Sequence, residues 1–314
     1  MALTTAAISA AALTAQAQTT SVKQGVTPLP ARNIYALTSD NAIYVLRPTA
    51  TQWLRLGRVD GVGGSLIGID FRPADNTPNI MYGVTDGGQL FRINVATNPI
   101  SVAQVSQMST QFIGGYSGLM DFNPVANALR VAGANDQNLA VVNGTDGSNL
   151  STTVAQTRFT YAAGDLAAGR DPEIVGGAYS NNLAGATATI FYMIDHAQDT
   201  LVTISTLTAT GSSNTATGVL KTIGPFVDTS GRRLRIAPTT DIDIFTDSTG
   251  RNFLVGASSR ILFTVDLSTV NPNLPVGQTQ NVLVRSGVSG TQLAAGSQSL
   301  SGGIFDIAIA PLAR

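Results

Sequence analysis

The 314 residues hold 12% charged and 43% hydrophobic side chains, with a formal net charge of −1 and a pI near 5.7. This excludes a disordered chain and the basic footprint that nucleic acid requires. With no cysteine and one histidine, His196, it also excludes disulfides, thiol catalysis, iron–sulfur clusters, cysteine-bound zinc and two-histidine metal sites.

Residues 1–18, MALTTAAISAAALTAQAQ, are small and apolar, and Ala15-Gln16-Ala17 has the form of an export cleavage site, although the first basic residue is Lys23. The segment reads as a signal-peptide remnant, or alternatively as an apolar arm that stays on the mature chain. Residues 19–32, with Gly25, Pro28 and Pro30, read as an extended lead-in. Glu173 is the only glutamate, and Lys23 and Lys221 are the only lysines. Without these helix formers, and with abundant Thr, Val, Ile, Gly and Asn, the chain is expected to be all-β. No apolar run after the N-terminal segment is long enough to predict a transmembrane span.

From residue 33 a unit repeats every 48 to 60 residues or so, as is typical of propeller blades. Its first half is a hairpin of two alternating runs joined by a polar turn. The copies begin at Asn33, Ile80, Ala128, Ile190 and Phe253. Its second half is a short anchor strand that carries an aspartate: Gly68-Ile-Asp70, Leu119-Met-Asp121, Thr240-Asp-Ile-Asp243 and Gly303-Ile-Phe-Asp306. Gly177-Ala-Tyr-Ser-Asn181 stands where a fifth anchor is due, without the aspartate. Gly-containing strands such as 54–59 and 220–225 connect the halves. A repeat of about four short strands predicts a β-propeller, most simply with five blades, in a single domain over 33–314. Six blades stay open because the later repeats are long and 146–175 is irregular. A β-sandwich or a curved solenoid is the competing architecture. The first hairpin lacks a preceding anchor and the last anchor, 303–310, lacks a following hairpin. The two are therefore expected to pair and close the ring.

The strings Gly68-Ile-Asp-Phe-Arg-Pro73, Met81-Tyr-Gly-Val84, Asp121-Phe-Asn-Pro124, Leu129-Arg-Val131 and Gln137-Asn-Leu139 resemble a family of secreted bacterial proteins known as domain of unknown function 4394. Tyr161-Ala-Ala-Gly-Asp165, Pro172, Ala178-Tyr-Ser-Asn-Asn182 and Ala184-Gly-Ala-Thr187 are the most specific match, and the likeness runs over about residues 32–312. The resemblance implies a secreted, propeller-like domain. It brings no activity and no catalytic residues. His196 departs from it, since similar sequences carry a small polar turn residue there.

Asp70, Asp121, Asp243 and Asp306 read as one recurring position. In one reading each carboxylate accepts backbone N–H bonds beside it and is structural. In the other the four line a central channel and bind a hard cation through oxygen. His196 is expected to be a solvated turn residue, with Asp195 and Asp199 as neighbours. Gly115-Tyr-Ser-Gly118 only superficially resembles a nucleophile elbow, so Ser117 is not expected to react. Gly61–Gly64 and Gly114-Gly115 read as turns rather than phosphate loops, because no helix with Lys and Ser/Thr follows. Arg232, Arg233 and Arg235 read as a solvated edge. Asn143-Gly-Thr145 and Asn149-Leu-Ser151 match the glycosylation pattern. Trp53, Tyr82, Phe91 and Tyr192 are expected in the core.

No cofactor is indicated. The functional expectation is a secreted, extracellular or periplasmic, non-catalytic propeller. It would act as a binding or structural scaffold at the cell surface or in the extracellular matrix. Its partner would be another protein, a surface glycan or copies of itself. The alternative is a propeller hydrolase or lyase acting on a sugar or lactone with a metal at the central channel.

Overall fold

The computed structural model describes residues 30–311 apart from 51, 76, 115–117, 144–149, 259–260 and 289–302. The readings of 1–18, of most of the 19–32 lead-in, of Ser117 and of the two glycosylation patterns therefore lie wholly or partly outside the described residues. No helix among those described is long and apolar enough to cross a membrane.

The first hairpin is β1 (Ile34–Thr38) and β2 (Ala42–Leu46), followed by β3 (Leu54–Arg58). Blade two is β4 (Leu66–Asp70), β5 (Ile80–Thr85), β6 (Gln89–Asn94) and β7 (Ser101–Gln107). Blade three is β8 (Gly118–Asn123), β9 (Ala128–Gly133), β10 (Asn138–Asn143) and β11 (Leu150–Ala155). After the two-residue β12 (Thr160–Tyr161), blade four is β13 (Ile174–Tyr179), β14 (Phe191–Asp195), β15 (Thr200–Ile204) and β16 (Val219–Val227). Blade five is β17 (Asp241–Thr246), β18 (Asn252–Ser258) and β19 (Ile261–Asp266). It is completed, after the short β20 (Val282–Leu283), by β21 (Arg285–Val288). The last strand, β22 (Ile304–Ile309), pairs antiparallel with β1, Ile34 opposite Ile309 and Leu37 opposite Asp306. Blade one is thus β22-β1-β2-β3, built from both ends of the domain. This is a five-bladed β-propeller, closed as the unpaired hairpin and anchor predicted.

Burial falls outward along blades one and two, whose inner strands are covered on both faces, whereas β16 at the outer side of blade four stays mostly buried. Every described side chain of β1, β4, β5, β13 and β14 is buried, whereas β3 and β7 are largely exposed. The innermost strands β22, β4, β8, β13 and β17 pack on one another in that order around the axis. One apolar cluster fills each junction between neighbouring blades. Tyr82, Phe91 and Tyr192, on strands, and Trp53, just before β3, are buried in these layers as expected. The glycines at 61–64 form the bend between β3 and β4.

Candidate functional site

Alternation along each innermost strand turns successive residues to the two faces of the blade, one face toward the blade before it and the other toward the next. The acceptors of the aspartates reach backbone N–H groups across the junction. Phe122 N–H donates to Asp70 Oδ2 at 2.8 Å, and Tyr179 N–H to Asp121 Oδ1 at 3.1 Å. Ile307 N–H donates to Asp241 Oδ2 at 3.1 Å and Ile309 N–H to Asp243 Oδ2 at 2.6 Å. Ile69 N–H donates to Asp306 Oδ2 at 2.8 Å. The remaining junction, from blade four to blade five, has no aspartate on β13. There the Gly177 N–H faces Asp241 from the earlier blade.

These bonds fix the register between blades, and the register corrects one expectation. Each aspartate bonds the N–H that follows its own counterpart in the next blade. Asp70, Asp121 and Asp243 therefore share one tier with Ala178 and Ala308. Asp306 stands two residues lower, level with Asp241 and Gly68. A two-residue shift keeps a side chain on the same face, so the sequence alone did not separate the tiers. Asp241, two residues before Asp243 on β17, is a fifth axial carboxylate. Close approach explains the glycines of the lower tier. A Cβ on Gly68 would stand 2.3 Å from Asp306 Oδ2, and one on Gly176 would stand 2.9 Å from the Asp241 Cα.

All five carboxyls are buried. Burial, first of all, pushes Asp70, Asp121 and Asp306 well above the ordinary carboxylate range, and the neighbouring aspartates add to it. Burial likewise raises Asp241 to about 6 and Asp243 to about 7, against the bonds they accept. The carboxyls of Asp241 and Asp306 interact directly, with Asp306 as the partner whose protonation is favoured. The axis therefore holds protons as well as negative charge near neutral pH. Asp70, Asp121 and Asp243 each offer a carboxylate oxygen within 4.8 Å of the others, a set that a hard cation would fit by ligand chemistry.

The other candidates are placed away from the axis. His196 lies in the β14–β15 turn, but it is half-buried rather than solvated. Its Nδ1 is 2.7 Å from the Ile236 carbonyl, which can only accept, so Nδ1 carries the hydrogen. Asp195 bonds the Tyr161 hydroxyl, while Asp199 pairs with Arg235 at 2.8 Å and accepts from Ile236 N–H. Arg232 pairs with Asp228 at 3.1 Å, and Arg233 donates to the Gln198 carbonyl. The three arginines are spent on local loop contacts.

Sequence reasoning missed Arg130. It is 4% exposed between blades three and four. Its guanidinium donates to Tyr179 Oη at 3.2 Å, Asn138 Oδ1 at 2.6 Å, Gln156 Oε1 at 2.7 Å and Thr215 Oγ1 at 2.6 Å. Cross-strand register shows what it replaces. Upper-tier residues Ala308, Asp70, Ala178 and Asp243 face Tyr35, Tyr82, Tyr192 and Val255, whereas Asp121 faces Arg130. A charged residue in a column otherwise aromatic or aliphatic was the available signal.

The family model described as Domain of unknown function (DUF4394) matches residues 49–282. No curated protein matches the sequence. Among solved structures, a Bacteroides thetaiotaomicron protein of unknown function is 14% identical with a TM-score of 0.45, over 71% of this chain and 53% of that one. This chain thus spans about half the length of that protein. Virginiamycin B lyase from Staphylococcus aureus is 11% identical with a TM-score of 0.36, over 84% of this chain and 74% of that one. Myxococcus xanthus glutaminyl cyclase is 12% identical with a TM-score of 0.37, over 71% and 89%.

Proposed function

This chain belongs to the DUF4394 family, and from that premise we propose that it is a secreted, non-catalytic β-propeller acting as a binding or structural scaffold at the cell surface or in the extracellular matrix. The observation that carries this reading is the use of the axial carboxylates. Each accepts a backbone N–H from a neighbouring blade, so the most acidic place in the molecule is spent on holding the ring. A ring so tied is a rigid platform for recognition at its rims. Export is supported by the Ala15-Gln16-Ala17 pattern. Its partner is another protein, a surface glycan or further copies of itself. Low charge supports the last, because it weakens repulsion between copies.

The second reading is a hydrolase or lyase acting on a sugar or lactone through a metal at the axis. The triangle of Asp70, Asp121 and Asp243 oxygens favours it. One melting experiment separates the two. The scaffold reading expects the same melting temperature in chelator and in millimolar calcium. A rise with calcium that disappears in Asp121→Asn would show the axial cation site that the second reading requires and end the purely structural use of these carboxylates.

A further inference from the structure

Three segments of the chain meet at one end of blade four, and they bring the one histidine together with the arginines at 233 and 235. The first segment is the β14–β15 turn, 196–199. The second is the link 228–240 from β16 to β17, which carries Arg233 and Arg235. The third is the approach to β13, which carries Arg170. The turn is held from behind. Gln198 N–H donates to Asp195 Oδ1 at 3.1 Å, and His196 N–H donates to the Glu173 carbonyl at 3.0 Å. The bond from His196 Nδ1 to the Ile236 carbonyl ties the turn to the residue after Arg235.

Three guanidiniums gather on this turn. Arg170 Nη1 donates to Gln198 Oε1 at 2.9 Å, and Arg233 Nη2 donates to the Gln198 carbonyl at 2.6 Å. Arg235 Nη1 lies 2.8 Å from Asp199 Oδ2, on the next residue. All three arginines are exposed, the Arg235 side chain to 93%. The acceptors of Arg170 and Arg233 are neutral oxygens, so these bonds place the two groups without neutralising them. Among the described residues no carboxylate lies within ion-pair distance of either. Asp199 is buried and serves Arg235 and the Ile236 N–H, while the buried Asp195 bonds the Tyr161 hydroxyl. The exposed Arg58, Arg232 and Arg251 differ, because each has its own carboxylate in Asp60, Asp228 and Asp266. Two like charges held on one residue repel, and an anion between them turns that repulsion into attraction. Each guanidinium keeps further N–H groups to give it.

We infer that this turn binds a tetrahedral oxyanion, a sulfate or phosphate group carried on a surface glycan. A planar carboxylate is matched by the two parallel N–H groups of a single guanidinium. A tetrahedral group presents its oxygens in several directions and accepts from arginines that arrive on separate segments. A net charge of −1 over the whole chain argues against nucleic acid as the bearer of the phosphate. The inference rests on the binding reading above and gives it a site and a ligand chemistry.

Titration calorimetry of the whole protein with a sulfated dextran oligosaccharide, the unsulfated oligosaccharide of equal length, inorganic phosphate and oligoglutamate tests it. The sulfated oligosaccharide is expected to bind, to weaken with added salt and to be displaced by inorganic phosphate, while the unsulfated one does not bind. Arg170→Gln combined with Arg233→Gln should melt with the parent, since both positions are exposed. It should lose about tenfold or more in affinity. Arg58→Gln combined with Arg251→Gln makes the same change of charge elsewhere and should bind as the parent does. Unchanged binding by the first double variant overturns the inference, and so does an equal loss in the second. Oligoglutamate bound as tightly as the sulfated sugar overturns the tetrahedral assignment. Inorganic phosphate bound without the sulfated sugar overturns the glycan as bearer. An unsulfated oligosaccharide bound equally well ends the anionic assignment and leaves the binding reading standing. Binding of none of the four also overturns the inference, while the scaffold reading stands or falls on its calcium response.

Discussion

Between blades five and one, Ile34, Tyr44, Leu46, Ile304 and Ile307 meet Phe245, Val255 and Leu262 in a dry apolar layer. Between blades three and four, the described apolar cluster takes just Leu119 and Ala132 from the strands of blade three. Arg130 stands in the column where the other blades carry a tyrosine or valine, and it donates to Tyr179 and Asn138. At the first junction β1 and β2, from the start of the domain, face blade five beside β22, from its end, and only the pairing of β1 with β22 holds them there. That loop-closure cost falls on contacts between distant residues, and burial of apolar area is the term that offsets it. At the second junction the chain passes from blade three to blade four through 156–173, and no strand from the other end of the domain takes part. The lesson is that a five-fold repeat need not be chemically uniform.

Removing residues 303–314 is the largest perturbation of this contrast. It strips β22 from β1 and takes away Asp306, the acceptor of Ile69 N–H. The truncated protein is expected to aggregate or to melt far below the parent, read by thermal unfolding. Equal melting would contradict closure through β22.

Paired core substitutions sharpen the contrast. Leu262→Ala, fully buried at the closing junction, should cost about 2–5 kcal/mol by chemical denaturation. Arg130→Met fills similar volume but leaves the Asn138, Gln156 and Thr215 acceptors without their donor. Its cost is expected at about 1–3 kcal/mol, that of buried polar groups left unmet. An Arg130→Met variant more stable than the parent would show that the polar seam is a burden on the fold. That would agree with a functional reason for its presence.

The repeat was legible because hairpins such as 34–46 and 80–94 alternate with period two, and alternation survives in any blade. Closure was legible from two incomplete copies. The two tiers of aspartate were not, because Asp241 and Asp243 face the same way. Only packing of one blade on the next selects which N–H each one meets. Half-burial of His196 was hidden for a similar reason, since Ile236, its partner, arrives from a loop forty residues on. The setting of Arg130 was the least legible, because its partners Asn138, Gln156, Tyr179 and Thr215 come from separate places in the chain.

Acid should affect the axis opposite to its usual effect on proteins. Asp241 and Asp243 titrate at about 6 and about 7 when folded, against an ordinary value of 3.8. The folded state therefore binds more protons between those values. Their contribution to stability is present below pH 3.8 and is lost as pH rises through 6 and 7. Melting temperature should rise by several degrees from pH 8 to pH 5, and Asp243→Asn should flatten that rise. Further acidification works against the fold, because Asp75, held down to about 2 mainly by bonds to Thr77 and Tyr82, becomes protonated. A melting temperature that falls steadily from pH 8 to pH 5 would contradict the burial of these carboxyls.

The account depends most on the aspartates as cross-blade acceptors, and hydrogen exchange reads this at single amides. In the parent protein the Phe122, Tyr179, Ile69 and Ile309 amides should exchange only through global unfolding. Asp70→Asn should destabilise by about 1–3 kcal/mol. It should also speed exchange at Phe122 beyond that global loss, with the Tyr179 and Ile309 amides following the global change alone. Exchange at Phe122 that stays with the rest of the ring in Asp70→Asn, or is already fast in the parent, would contradict the account.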